Sequence, residues 1–384
     1  MIALDNNIKF SIIFFLSFVG NAFLFDIAIM PFLLIFIAII LHKQESFIDQ
    51  NNLIIIFLLS IIFFYFFSKN LIEPREYDPQ YYLWPIYLLF FVCFCGKKYL
   101  FDSFRPPLAL SFLLIIFFLI GAYLFKDETG RAYFIFGANV LYRLFIFLAF
   151  VQVIHAKSAF TKIIFFLLGF SGVFFTGSRM GLLLSIFLFS IYFLTPFVNG
   201  RISTKKLVRI SFLVPVLFTY SLFYIQEINN IFVVISESEG LLSRLLAYSG
   251  SISIRIEFLS SFINHWSFFG TQSQVFDFFY FKDYFPYPHN IIAEMIFYYG
   301  YFGLLISMII VFEYIKTFLK FVKAKTLPPI EIAFLIIFPS SLASGDILDG
   351  ILVMFYSITS FLNWSSYVYK RKQFLKINKL IDMP

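Results

Sequence analysis

Along most of this chain apolar residues neither alternate nor recur on one face. They run unbroken for about 15 to 25 residues between short polar interruptions. An α-helix rises about 1.5 Å per residue, so runs of that length match roughly 30 Å of hydrocarbon and predict membrane-spanning helices. Residues 8–19 and 22–41, split by the turn-favouring pair Gly20-Asn21, are expected to form a helical hairpin. Spans are then expected at 53–67, 81–95, 108–125, 132–153, 163–175, 181–196 and 207–225, and after a long interruption at 291–315, 330–342 and 347–368. The first run has no small-residue cleavage pattern after it and is expected to be a retained span. The expected fold is all-α: a polytopic helical integral membrane protein of about twelve spans. It forms a single transmembrane domain over residues 1–384, with one large outer loop over residues 226–290 that carries short helices, among them an amphipathic one at 254–269.

Composition excludes the competing classes. Of 384 residues 61% are hydrophobic and 13% charged, a balance that would force a water-soluble fold to expose large apolar patches. The runs do not alternate polar and apolar positions, as the strands of a membrane β-barrel would. Cys93 and Cys95 lie too close together in one apolar run for an ordinary bridge and have no zinc-ligand spacing.

Charge orients the spans, because Lys and Arg collect on cytoplasmic connections. Arg201, Lys205, Lys206 and Arg209, with no acid among them, mark 199–209 as cytoplasmic. Counting from there places Lys97, Lys98 and Arg105 on the same side, with a lysine-bearing loop at 316–325 and the basic stretch at 370–379. Glu73, Glu76 and Asp78 fall outside, as does the 226–290 loop, and both termini are expected in the cytoplasm. The net charge of +7 thus reports topology and not affinity for nucleic acid.

Candidate chemistry gathers at the outer side. Arg179, in Thr176-Gly177-Ser178-Arg179-Met180-Gly181, is held between two spans with almost no loop, at the edge of the hydrocarbon, where a cation needs a partner or a ligand. Gly177 and Gly181 suit a turn and close packing. Arg244 and Arg255 are eleven residues apart and share a face if one helix carries both, although Ser249-Gly250-Ser251 argues against a single helix. Guanidinium groups meeting above a membrane mouth suit a diphosphate; ordinary loop arginines pair instead with acids such as Glu237, Glu239 or Glu257. His289 stands in Tyr287-Pro288-His289-Asn290, directly before a helix that Asn290 can cap, and the helix dipole there favours a neutral imidazole. Glu294 is one turn into that span, a costly place for a carboxylate without a role. His265 and Trp266 fit an interfacial belt. The rings at Phe276, Phe278, Phe279, Tyr280, Phe281, Tyr284, Phe285 and Tyr287 either anchor the loop at the headgroups or stack on sugars. No Asp-rich or His/Cys set has metal spacing, and no Gly-rich loop with its Lys is present to hold a nucleotide.

Taken together, Thr176 to Gly181, Arg255 with the downstream Trp266 to Gly270, and Pro288-His289-Asn290 followed by Glu294, Gly300 and Gly303 resemble the O-antigen polymerase and O-antigen ligase superfamily of bacterial envelope glycan enzymes. The resemblance covers roughly residues 176–304; the N-terminal half matches in hydropathy alone. It implies a GT-C-like glycosyltransferase of the bacterial inner membrane, working at the periplasmic face without metal or cofactor and with inversion. Arg179, Arg255 and Arg244 would hold the diphosphate of an undecaprenyl-diphosphate-linked oligosaccharide. His289, Glu294 and Arg255 would lie at the reaction centre, with Glu257 and Asp277 as further candidates for the base, and Trp266, Tyr284 and Tyr287 would touch the glycan. A chain-length regulator and a flippase of the same pathway are the implied partners. The net acidic outer loop favours a polymerase, which extends a lipid-linked repeat unit, over a ligase, whose phosphate-rich lipid A core acceptor suits a more basic mouth. A flippase or transporter of the same lipid-linked glycan is the alternative from another class; polar residues lining a central path, and not one asymmetric loop, would mark it.

Overall fold

A computed structural model of the chain describes residues 53–72, 84–85, 88, 107–126, 131–134, 136–198, 264–271, 290–324, 327–344, 353–354 and 356–362. The spans expected at 8–19, 22–41 and 207–225 lie outside the described residues, as does nearly all of the outer loop. The described elements are α1 (Leu53–Ile72), α2 (Leu108–Leu124), β1 (Tyr133–Phe134), β2 (Phe136–Gly137), α3 (Ala138–His155), α4 (Ala159–Thr176), α5 (Arg179–Val198), α6 (Ile291–Ala324) and α7 (Pro329–Ser344). Apart from one hairpin, they are helical. Four stretches, Ile55–Ile72, Ala138–His155, Ala159–Thr176 and Ile291–Lys323, are long and apolar enough to cross a membrane, and α2, α5 and α7 contain shorter apolar stretches. Many of their largest side chains face outward: α2 alone exposes Leu108, Phe112, Leu113, Phe117 and Ile120. Such a surface is stable against lipid, which leaves helices to satisfy their own backbone. The chain is a helical membrane protein.

Contacts divide it into two compact units, one of Met1–Pro106, Ser261–Thr317 and Pro328–Pro384, the other of Pro107–Ser260 and Phe318–Leu327. In the second unit α3 is the central element, with 14 of its 18 residues buried. Only a stripe of α2 (Ser111, Ile115, Phe118, Gly121, Ala122) and of α4 (Phe165, Gly169, Gly172, Val173, Thr176) is buried, at the three- and four-residue spacing of one helix face. Glycine sets the closeness of the α3–α4 contact: a Cβ at Gly169 would overlap that of Ala149, and one at Gly172 would meet the Phe145 ring. Gln152 of α3 donates to Ser111 of α2 at 2.9 Å, and Lys162 of α4 to the Tyr192 hydroxyl at 2.7 Å. These bonds join helices where lipid offers no alternative partner.

The span expected over 132–153 begins only at Ala138. Tyr133–Phe134 and Phe136–Gly137 pair as a short antiparallel hairpin, Tyr133 opposite Gly137 and Phe134 opposite Phe136, extended by a bridge between Lys126 and Ala132. Phe134 packs on Phe117 and Phe118, stacks on Phe125 with centroids 5.2 Å apart, and lies over Gly121. Aromatic hydropathy alone does not separate such a strand from a helix, and that overextended the expected span.

In the first unit α1 and α6 enclose an aromatic core of Phe63, Phe66, Trp84 and Tyr299; the Phe66 and Tyr299 centroids are 4.1 Å apart. The loop expected at 316–325 is helix as far as Ala324. Phe318 and Phe321 are buried, while Lys320 and Lys323 fall on other faces, so the apolar stripe continues through the lysines and helix continues with it. At 34 residues α6 would measure about 50 Å if straight, well beyond the hydrocarbon thickness. It is not straight.

Candidate functional site

The break in α6 falls at Gly300, whose φ of 60° and ψ of −134° no helix contains and few side chains tolerate. Residues 291–299 therefore form a short half-helix. Asn290 begins it as expected: its Oδ1 accepts the Ala293 N–H at 3.0 Å, and its Nδ2 donates to the Leu342 carbonyl at 2.9 Å. Glu294 lies in the first turn, 1% exposed, where the half-helix N-terminus favours a negative charge.

At the other end the break frees backbone groups that apolar surroundings cannot solvate. Residues 266–271 take them up. In an unbroken helix Phe297 O would accept from Tyr301 N–H; here it accepts from Thr271 N–H at 2.6 Å, and Tyr301 N–H donates to Phe268 O at 2.9 Å. Ile296 O, which would face Gly300 N–H, accepts the Trp266 indole N–H at 3.0 Å. The segment itself is a tight turn: Gly270 N–H donates to Ser267 O, and Ser267 Oγ to Gly270 O. Two glycines at positive φ let the backbones meet, since a Cβ at Gly270 would overlap Tyr298 O and one at Gly300 would overlap Phe268 O. The amphipathic helix expected over 254–269 thus does not reach Phe269. Residue 264 is the last helical one before the turn, because residues 266–271 bond to α6 and not to themselves in a helical ladder.

Trp266, expected to touch the glycan, has its indole N–H committed to Ile296 O, and its ring is 44% exposed. The half-helix and this segment carry Glu294 and Trp266 on one hydrogen-bonded backbone assembly. His289, Arg244, Arg255, Tyr284 and Tyr287, with Glu257 and Asp277, lie outside the described residues.

In the other unit, Thr176 to Gly181 forms the tight corner between α4 and α5. Gly177 closes α4 in the left-handed region, φ 70°. Thr176 Oγ1 donates to Val173 O at 2.6 Å and accepts Ser178 N–H at 3.2 Å; Ser178 Oγ accepts Gly181 N–H at 3.2 Å and so caps α5. Ala132 N–H, from the hairpin, donates to Thr176 O at 3.2 Å. Gly181 lies against the Tyr142 ring with no room for a Cβ. Both glycines have the turn and packing roles expected of them. Arg179 is the first residue of α5; its side chain lies outside the described residues.

Buried polar residues outside the proposed site are a further finding. Arg143 and Gln152 are buried in α3, Glu313 in α6 and Glu331 in α7, and Lys69 and Asn70 extend α1 beyond its expected end. Glu313 accepts two bonds from Lys316, at 2.7 and 2.9 Å, and Lys316 also reaches Ser360 Oγ at 3.3 Å; Thr317 and Tyr356 share a hydrogen bond at 3.3 Å. Their signal in the sequence was position: each polar residue stands within or just past an apolar run. Among the described residues no three His, Cys, Asp or Glu side chains converge as metal ligands would.

Compared with known proteins, the chain matches no protein-family model and no curated protein.

Proposed function

We propose that this protein is a surface-polysaccharide polymerase of the bacterial inner membrane. It moves the glycan from one undecaprenyl-diphosphate carrier onto a second lipid-linked repeat unit at the periplasmic face. The observation that carries the reading is Glu294: a carboxylate buried in an apolar span, directly after Pro288-His289-Asn290, on the short half of a helix that is broken six residues later. Broken membrane helices with buried ionisable groups are a recurrent setting for polar ligands, because irregular backbone is costly at that depth without a use.

The chemistry needs few parts. The acceptor hydroxyl attacks the anomeric carbon as the bond from that carbon to the diphosphate oxygen breaks on the opposite face, which inverts the configuration. The hydroxyl proton passes to a base among His289, Glu294, Glu257 and Asp277, and the departing diphosphate takes the bonding electron pair. Arg179, Arg255 and Arg244 would meet the charge that grows on it. The exposed Trp266 ring offers a face for a sugar.

Two measurements test this. The envelope glycan profile of a deletion strain should show lipid A core bearing a single repeat unit. Core with none and long chains left on the carrier would indicate a ligase, and loss of outward exposure of the lipid-linked unit would indicate transport. Arg179→Ala and Arg255→Ala should each abolish chain growth at normal protein level, since one oriented donor on developing charge is worth about 10²–10³ in rate. Normal glycan length in either well-expressed variant removes that residue from the site.

A further inference from the structure

The turn at residues 266–271 is held to the broken helix by backbone bonds on one side. On its other side it is held by α1. Tyr65 and Lys69, one helical turn apart on α1, both donate to the Phe269 carbonyl, the hydroxyl at 2.5 Å and the ammonium at 2.9 Å, and Lys69 also reaches the Thr271 carbonyl at 3.3 Å. The Lys69 ammonium lies 5.3 Å from the Tyr298 ring centre, beside the C-terminal end of the half-helix, where a cation is favoured. Lys69 is 8% exposed. A lysine is rarely buried that far unless its charge is met, and Phe269, Thr271 and Tyr298, among the groups around it, belong to the two segments that pair across the Gly300 break. Phe269 and Thr271 flank Gly270, and Tyr298 is two residues before Gly300.

We propose that Lys69 is a positioning residue: it latches residues 266–271 into the break in α6 and so fixes the half-helix that carries Glu294 and the turn that carries Trp266. That those two side chains serve glycan transfer rests on the function proposed above; the latch does not. Without the ammonium the turn keeps its bonds to α6 and the Tyr65 bond from α1, but loses the two bonds that Lys69 makes to the Phe269 and Thr271 carbonyls. The amides most affected are Thr271 and Tyr301, whose hydrogen bonds exist only while the turn is docked.

Hydrogen exchange on the full-length protein in detergent, resolved to peptides containing Thr271 and Tyr301, tests the latch. Lys69→Met should speed exchange at both by about tenfold or more, the effect of losing a charge-assisted bond on a local opening, and leave exchange in α3 and α4 unchanged. Lys69→Arg, which keeps a cationic donor, should restore most of the protection. If Lys69→Met fails to fold, Tyr65→Phe removes one donor to Phe269 and should give a smaller rise at the same two places. Wild-type exchange rates in whichever variant folds overturn the latch. In a transfer assay with lipid-linked repeat units, the same Lys69→Met variant should lose kcat with donor KM nearly unchanged, and Lys69→Arg should recover it. A fast-exchanging turn in a protein that, as wild type, performs no transfer would leave the latch standing and remove the polymerase reading. Fast exchange with unchanged kcat would overturn the positioning role.

Discussion

Arg143, Gln152, Glu294, Glu313 and Glu331 are each less than a tenth exposed in otherwise apolar helices, and each must be met by other groups, because hydrocarbon will not solvate it. The Glu313–Lys316 pair is the one whose energetics can be tested most directly. Glu313 is fully buried while the Lys316 side chain is 41% exposed, so removing the lysine strands a charge in the interior, whereas removing both ends of the pair does not. Lys316→Met should lower stability by about 1–3 kcal/mol, less than for a wholly buried pair because the ammonium is only partly buried. The double variant Glu313→Gln/Lys316→Met should recover most of that loss. Apparent melting temperatures in detergent compare the two, and equal losses would show that the pair does not act as a unit. At this scale part of the arrangement around the proposed site was legible in the sequence. Glu294 stood out as a carboxylate inside a span, and the Asn290 cap followed from residue type and place. Lys69 did not stand out, because a lysine at the end of an apolar run looks like an ordinary interfacial residue until its acceptors, some 200 positions later in the chain, are known.

At the scale of elements the same chemistry, glycine, has two different consequences. Gly137 caps α3 with nothing near the position of a Cβ, whereas Gly300 combines a positive φ with backbone atoms of the 266–271 turn where the Cβ would be. Gly137→Ala should change stability by no more than about 0.5 kcal/mol. Gly300→Ala should cost about 2 kcal/mol or more, from strain at that φ and ψ together with undocking of the turn. Comparative thermal unfolding in one detergent checks both, and a neutral Gly300→Ala would mean that the break relaxes into continuous helix. Hydropathy placed α1, α2, α4, α5, α6 and α7 near their observed positions. It could not see the hairpin ahead of α3 or the break in α6, since both depend on partners remote in sequence: Phe117 and Phe125 for the hairpin, Trp266 to Thr271 for the break.

For the molecule as a whole, topology decides whether the proposed chemistry has a place to occur. Single cysteines introduced at 255 and 289 in a variant lacking Cys93 and Cys95 should react in intact cells with a membrane-impermeant maleimide, and cysteines at 203 or 376 should react only after permeabilisation. Labelling at 255 or 289 from the inside alone would remove both polymerase and ligase readings together. The sequence by itself determined that the chain is a helical membrane protein, because crossing hydrocarbon with a satisfied backbone demands long apolar helices and leaves an unmistakable composition. It also determined the local turns at Thr176 to Gly181 and at Asn290, whose hydrogen bonds close within a few residues. Only the tertiary structure decided that α6 is two helices, that residues 266–271 fill the gap, and that Lys69 ties them to α1. Those bonds join backbone groups far apart in the chain, and a carbonyl carries no record in the sequence of which distant donor it will meet.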